Sequence, residues 1–169
     1  LTFPQLLQRA GYQTFLVGKW HLKTDPVGFD FWRVLPGQGH YYNPEFRDAE
    51  GKRAYPGYVT DLITEFALER LESRDKSRPF FMMVHHKAPH RNWMPALKYL
   101  NAFEGREFPV PETFFDDYAT RCPAVKQSDM RVADLWFSHD LKLTKEYYGV
   151  ETGTGGSKGR PADPEKWWE

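Results

Sequence analysis

Four stretches of the chain carry a hydrophobic pattern that dictates local structure. In residues 3–10, Leu6, Leu7 and Ala10 fall at helical spacing. Thr2 is placed to cap that helix, Gln5 stands where a capping box needs it, Pro4 is tolerated in the first turn and Gly11 closes the end. Thr14-Phe15-Leu16-Val17 is an uncharged β-branched and aromatic run, the pattern of a strand buried on both faces, and Gly18 ends it. A second helix is predicted over residues 61–73, with Thr60 as its cap and Asp61 at the positive end of its dipole. Its apolar face is Leu62, Ile63, Phe66, Ala67 and Leu71. Phe80-Phe81-Met82-Met83-Val84 then reads as a second buried strand. Helix, strand, helix, strand is the rhythm of an α/β sheet.

Between these elements the pattern changes. Residues 25–57 are rich in Gly, Pro, Tyr, Phe and Asn and read as a long ordered loop, with a hairpin around Glu50-Gly51. Further on, a short helix is expected to start within residues 95–100, and the prolines of residues 108–115 favour extended chain. Residues 127–148 read as irregular to helical, and residues 153–159 as a glycine-rich loop without the Gly-Lys-Ser/Thr order of a phosphate-binding loop. A start at Leu1 inside a helical segment and an end on Trp167-Trp168 are expected of a piece of a longer chain.

Composition narrows the function. A length of 169 residues allows one compact core, and 13 Phe, 6 Trp and 9 Tyr supply large burial units that disordered chains lack. Lys plus Arg and Asp plus Glu are 23 each, so there is no overall basic field to gather nucleic acid or anionic lipid. No apolar run approaches the roughly 18–20 residues of a membrane span. With Cys122 as the one cysteine, an internal disulfide and a thiolate zinc site are both excluded.

The candidate chemistry follows the two strands. After the first comes Lys19-Trp20-His21-Leu22-Lys23, which in extended form puts Lys19, His21 and Lys23 on one face. After the second comes His85-His86-Lys87-Ala88-Pro89-His90-Arg91. In open parallel sheets ligands bind beyond the carboxyl ends of strands, so two basic clusters there are placed to converge on one anion. The competing reading of Lys19 and His21 is a solvated or packed polar pair, and one of His85 and His86 is expected to be a buried, hydrogen-bonded histidine. His40 either lines a pocket or packs with Tyr41 and Tyr42. Asp116-Asp117 reads as solvated acids rather than a cation site, and Cys122 as an incidental thiol.

Gly11-Tyr12-Gln13-Thr14-Phe15-Leu16-Val17-Gly18-Lys19-Trp20-His21-Leu22 resembles the second signature of the type I sulfatases. Lys87-Ala88-Pro89-His90 resembles the Pro-His segment of that family, and Gly57-Tyr58-Val59-Thr60-Asp61 the helix start that precedes it. The resemblance runs over residues 1–120. It implies an α/β fold, part of an alkaline-phosphatase-like sandwich with a mostly parallel central sheet and flanking helices. It also implies a calcium ion and a formylglycine nucleophile made from a Cys/Ser-x-Pro/Ala-x-Arg motif.

Cys122-Pro123-Ala124-Val125-Lys126 has neither the spacing nor the Arg of that motif, and no counterpart of the family's calcium-binding acids is present. Residues 1–169 are therefore expected to be the middle section of a catalytic domain, with no metal ligands of their own and no activity alone. By resemblance, Lys19, His21 and His90 hold the sulfate oxygens as catalytic residues, a task for cations and donors aimed at developing negative charge. Lys87, Arg91, Trp93 and His40 are expected on the substrate side. The implied substrate is a sulfated carbohydrate of the amino-sugar or glycosaminoglycan class, and the implied location periplasmic or extracellular. The alternative is a non-catalytic module that binds sulfated glycans or other anions.

Overall fold

The computed structural model describes residues 1–91 and 93–128. Residues 129–148, the glycine-rich stretch 153–159 and Trp167-Trp168 lie outside the described residues. The chain divides into two units, the first of residues 1–90 and the second beginning at residue 91.

The first unit opens with α1 (Phe3–Arg9), for which Thr2 supplies an extended cap residue. The Thr2 N–H donates to Gln5 Oε1 at 2.8 Å, the reciprocal half of the expected capping box, and Gly11 turns the chain at φ +89°. There follow β1 (Gln13–Trp20), β2 (Phe31–Pro36), β3 (Glu45–Asp48), β4 (Gly51–Ala54), α2 (Val59–Glu72) and β5 (Phe80–His85). The strands form one mixed sheet in the order β4-β3-β2-β1-β5. β1 is central and pairs in parallel with β2 on one side and β5 on the other, while β2–β3 and β3–β4 are antiparallel.

Alternation along β1 sends its side chains to two helices. Thr14 lies level with Phe81, whose ring meets Phe3 of α1 edge to face at 5.4 Å, so this face belongs to α1. Phe15 points the other way, level with Phe31, and the Arg70 guanidinium of α2 lies 4.4 Å from its ring centroid and 5.2 Å from that of Phe31. Both faces are therefore covered. Phe15, Leu16, Val17, Val34, Leu35 and Phe46 are buried with Val59, Ile63 and Phe66 of α2.

Several expectations need correction. Gly18 does not end the strand: β1 runs on to Trp20, and Gly18 at φ +107° pairs with Val34 and His85. Residues 25–57 are not a loop but hold three strands, of which only the hairpin at Glu50-Gly51 was expected. Arg33 disguises β2 as surface, yet its guanidinium is 4.7 Å from the Phe66 ring centroid and pairs with Asp48 at 3.4 Å. The cap of α2 is Tyr58 rather than Thr60, because the Val59 N–H already has the Tyr41 carbonyl as acceptor at 2.8 Å. β5 is half-exposed rather than buried, since it forms one edge of this sheet.

In the second unit the described residues form 3₁₀ turns at Leu97–Tyr99 and Glu112–Phe115 and one turn of α3 at Pro123–Lys126. The short helix expected within residues 95–100 is thus a 3₁₀ turn, and Thr113-Phe114-Phe115 is turned rather than extended. Asp116 accepts the Tyr118 N–H at 2.8 Å and pairs with Arg121 at 3.0 Å, interactions that hold its carboxyl below the usual carboxylate range, the backbone bond first. Cys122 is exposed.

The packing at Gly18 generates a test. A Cβ built there runs into the His85 carbonyl of β5, and the positive φ is strained for any other residue. Gly18→Ala is expected to destabilise the protein by roughly 2 kcal/mol or more, read as a lower urea midpoint. An unchanged midpoint would disprove the close β1–β5 approach.

Candidate active site

Because β1, β2 and β5 are mutually parallel, their carboxyl ends at Trp20, Pro36 and His85 lie at the same end of the sheet. The Gly37 N–H donates to the Trp20 carbonyl at 3.0 Å, so the chain leaving β2 stays beside the end of β1. On the other side the His85 ring approaches the Lys19 carbonyl through Nδ1 at 3.2 Å. A carbonyl only accepts, so Nδ1 carries the proton in this contact, and His85 is the hydrogen-bonded histidine expected of that pair, half-buried rather than buried. His86 is exposed.

One residue joins the two lysines. Lys19 Nζ donates to the side-chain oxygen of Gln38 at 2.6 Å, and Lys87 Nζ donates to the main-chain oxygen of the same residue at 2.9 Å. Lys87 is only 6% exposed, and its ammonium lies 4.7 Å from the centroid of the Tyr41 ring. The Tyr41 hydroxyl donates to the His90 carbonyl at 2.6 Å, and the His90 N–H donates to the Lys87 carbonyl at 3.0 Å. Lys19, Gln38, Tyr41, Lys87 and His90 therefore form one connected cluster.

Its electrostatics favour an anion. Neither Lys19 nor Lys87 makes an ion pair with a carboxylate among the described residues. Burial pulls the Lys87 pKa down, and the neighbouring Lys19 charge adds to the effect. Burial pushes the Tyr41 phenol up to about 12, with Tyr58 contributing in the same direction. Burial also raises Tyr58. A pair of cations beside neutral phenols and amides is a site that gains most from a bound negative group.

The predicted residues distribute unevenly over this geometry. Lys19 and His90 belong to the cluster. His21 follows the end of β1, but extended chain does not continue, since the Trp20 indole N–H donates to the Thr24 carbonyl at 2.8 Å and closes a turn. His21 and Lys23 are exposed there rather than on a strand face. His40 is exposed between Gly39 and buried Tyr41 in the β2–β3 loop. Lys87, expected at the substrate, directs its ammonium to the Gln38 carbonyl. Arg91 and Trp93 stand at the start of the second unit, both exposed, Trp93 with φ +40°.

Gln38 was not anticipated as part of the site. A signal existed in Gly37-Gln38-Gly39, whose glycines have φ of +59° and +61°, but it carries meaning only once β2 is recognised as a strand ending beside β1.

A mixed sheet with helices on both faces, and two lysines meeting at one residue beyond its parallel strand ends, define an α/β protein. A family model described as Sulfatase matches residues 1–136, and the chain belongs to the sulfatase family. It is 51% identical over 146 residues to an N-acetylglucosamine-6-O-sulfatase of Bacteroides thetaiotaomicron, a match covering 84% of this chain and 26% of that protein. Over 130 residues it is 32% identical to the N-acetylglucosamine-6-sulfatase of Homo sapiens, covering 67% of this chain and 23% of that one. The chain thus spans about a quarter of the length of these curated relatives.

Among solved structures, one determined in complex with its substrate D-glucosamine-2-N,6-O-disulfate superimposes with a TM-score of 0.77 at 46% identity. It covers 99% of this chain and 35% of that one. A second, in complex with k-i-k-neocarrahexaose, shares the fold at 21% identity and a TM-score of 0.56, covering 62% of this chain and 30% of that one.

Tyr41 allows a direct check of the site's burial. Its folded pKa of about 12 exceeds the ordinary 10.0, so the folded state favours the neutral phenol. The stability this contributes is fully present below about pH 10 and is lost as pH rises toward 12. Subtracting the alkaline absorbance titration of Tyr41→Phe from that of the unaltered protein should leave one phenol titrating near 12. A difference centred at 10.0 would show that Tyr41 is solvated.

Proposed function

We propose that the whole protein is a sulfatase that hydrolyses 6-O-sulfate esters of glucosamine units, giving the free sugar hydroxyl and inorganic sulfate. The observation that carries this reading is the Lys19–Gln38–Lys87 cluster at the carboxyl ends of parallel strands, two ammonium groups with no carboxylate partner among the described residues. The substrate class is supported by the relatives named for N-acetylglucosamine-6-sulfate and by the neighbouring structure solved with a glucosamine disulfate.

In this reading Lys19 and His21 hold sulfate oxygens, and His90 donates a hydrogen bond to the ester or leaving oxygen. Charge that builds on sulfate and leaving group as the S–O bond breaks is thereby met by fixed donors. His40, Arg91 and Trp93 are proposed on the sugar side.

Among the described residues no three His, Cys, Asp or Glu side chains gather where a metal ion could be held. Calcium and the formylglycine nucleophile are proposed to be held by other parts of the protein, and residues 1–169 alone to be inactive. No helix among the described residues is long and apolar enough to cross a membrane. A periplasmic or extracellular location is part of the same proposal.

Assayed in the full-length protein on glucosamine-6-O-sulfate, Lys19→Ala and His90→Ala should each lower kcat/KM about 100-fold or more, the scale of losing one transition-state donor. Their melting temperatures should stay close to that of the unaltered protein. Near-normal turnover in either variant, or activity lost only through unfolding, would refute the assignment.

A further inference from the structure

Lys87 is the most deeply buried charge in the first unit, and the reading above leaves it without a task. Its ammonium has three N–H donors but, among the described residues, one acceptor, the Gln38 carbonyl, and otherwise faces the Tyr41 ring. Desolvating a cation without a counter-charge is costly, so the arrangement persists only where the rest of the fold enforces it. What it achieves geometrically is clear from its partners. Gln38 lies in a loop between Gly37 and Gly39, both at positive φ, and such a segment needs an anchor to present its side chain in one place. Lys87 supplies that anchor from the turn after β5 by gripping the loop at the Gln38 main chain and at Tyr41. The Gln38 side chain is then fixed against Lys19 Nζ at 2.6 Å. The same grip reaches His90, through the Tyr41 hydroxyl on its carbonyl and the His90 N–H on the Lys87 carbonyl.

We propose that Lys87 is a positioning residue rather than a substrate ligand: through Gln38 it sets the place of the Lys19 ammonium. This rests on the reading of Lys19 as a sulfate-binding group. A residue acting through Lys19 loses its effect when Lys19 is gone, whereas one that touches substrate, or merely supports the fold, does not.

The test is a double-mutant cycle in the full-length sulfatase on glucosamine-6-O-sulfate, combining Lys87→Met with Lys19→Ala. Met keeps the stem of the lysine while removing charge and donors. Alone, Lys87→Met should lower kcat about tenfold with KM changed less than about threefold, and in the Lys19→Ala background it should cost less than about twofold. Gln38→Leu removes the acceptor of Lys19 from an exposed side chain, so it tests the same link without disturbing a buried group. It should show the same pattern: a fall in kcat that vanishes beside Lys19→Ala.

A Lys87→Met effect confined to KM would make Lys87 a substrate ligand and overturn the proposal. Equal losses with and without Lys19, or a Gln38→Leu variant with unchanged kcat, would overturn it too. Should Lys87→Met fail to fold, Gln38→Leu alone decides by the same criteria. If Lys19→Ala itself retains normal turnover, the sulfate-site reading falls and this proposal with it. A hundredfold loss in Lys19→Ala beside additive effects of the other two refutes only the positioning role.

Discussion

Everything described in the first unit depends on β1 being paired along both edges and covered on both faces. Its backbone groups are taken up by β2 and β5, and its side chains by α1 and α2. Such a strand has to be uncharged where it is buried, and residues 14–18 are. It also has to let its neighbours come close, which is why a residue without a side chain stands at position 18, against the His85 carbonyl. The buried amide of Gln13 extends the same logic to the strand's start. It donates to the Asp75 carbonyl at 2.8 Å and accepts the Asp75 N–H at 2.9 Å, tying β1 to the segment that leads into β5.

That constraint produces the site. A parallel arrangement brings the ends of β1, β2 and β5 to one end of the sheet, where no further strand residues consume the backbone and the chain is free to turn. Lys19 is the last strand residue but one, Lys87 lies two beyond β5, and Gln38 two beyond β2. Three segments distant in sequence thereby meet through a single residue that offers one oxygen to each lysine. The chain is neutral overall, yet it sets two cations side by side here without a carboxylate among the described residues. Mutual repulsion and the burial of Lys87 both oppose that arrangement, and a negative group beside the two lysines would relieve it.

The elements legible in the sequence were those whose pattern is local. α1 announced itself through Thr2, Gln5 and Gly11, β1 through an unbroken apolar run, and α2 through its apolar face. β2 was not legible because Arg33 reads as surface. Only the aromatic rings of Phe31, Tyr55 and Phe66 and the Asp48 carboxylate, brought together by tertiary packing, make a half-buried guanidinium acceptable there. The exposure of β5 was hidden for the opposite reason. Its residues are apolar enough for a buried strand, and whether a strand is central or marginal is a property of the sheet, not of the strand.

For the site, the sequence alone determined which chemistry was present: Lys19, His21, Lys87 and His90 at the ends of two apolar strands, in a dense match to one family. It determined the family because twelve contiguous residues carry that match. What only the tertiary structure decided is what each group faces. Charge type is a property of a residue, but whether an ammonium points to solvent, substrate or a carbonyl depends on which distant segment packs beside it. Lys87 faces the Gln38 carbonyl because β2, a strand without a local signature, ends next to β1.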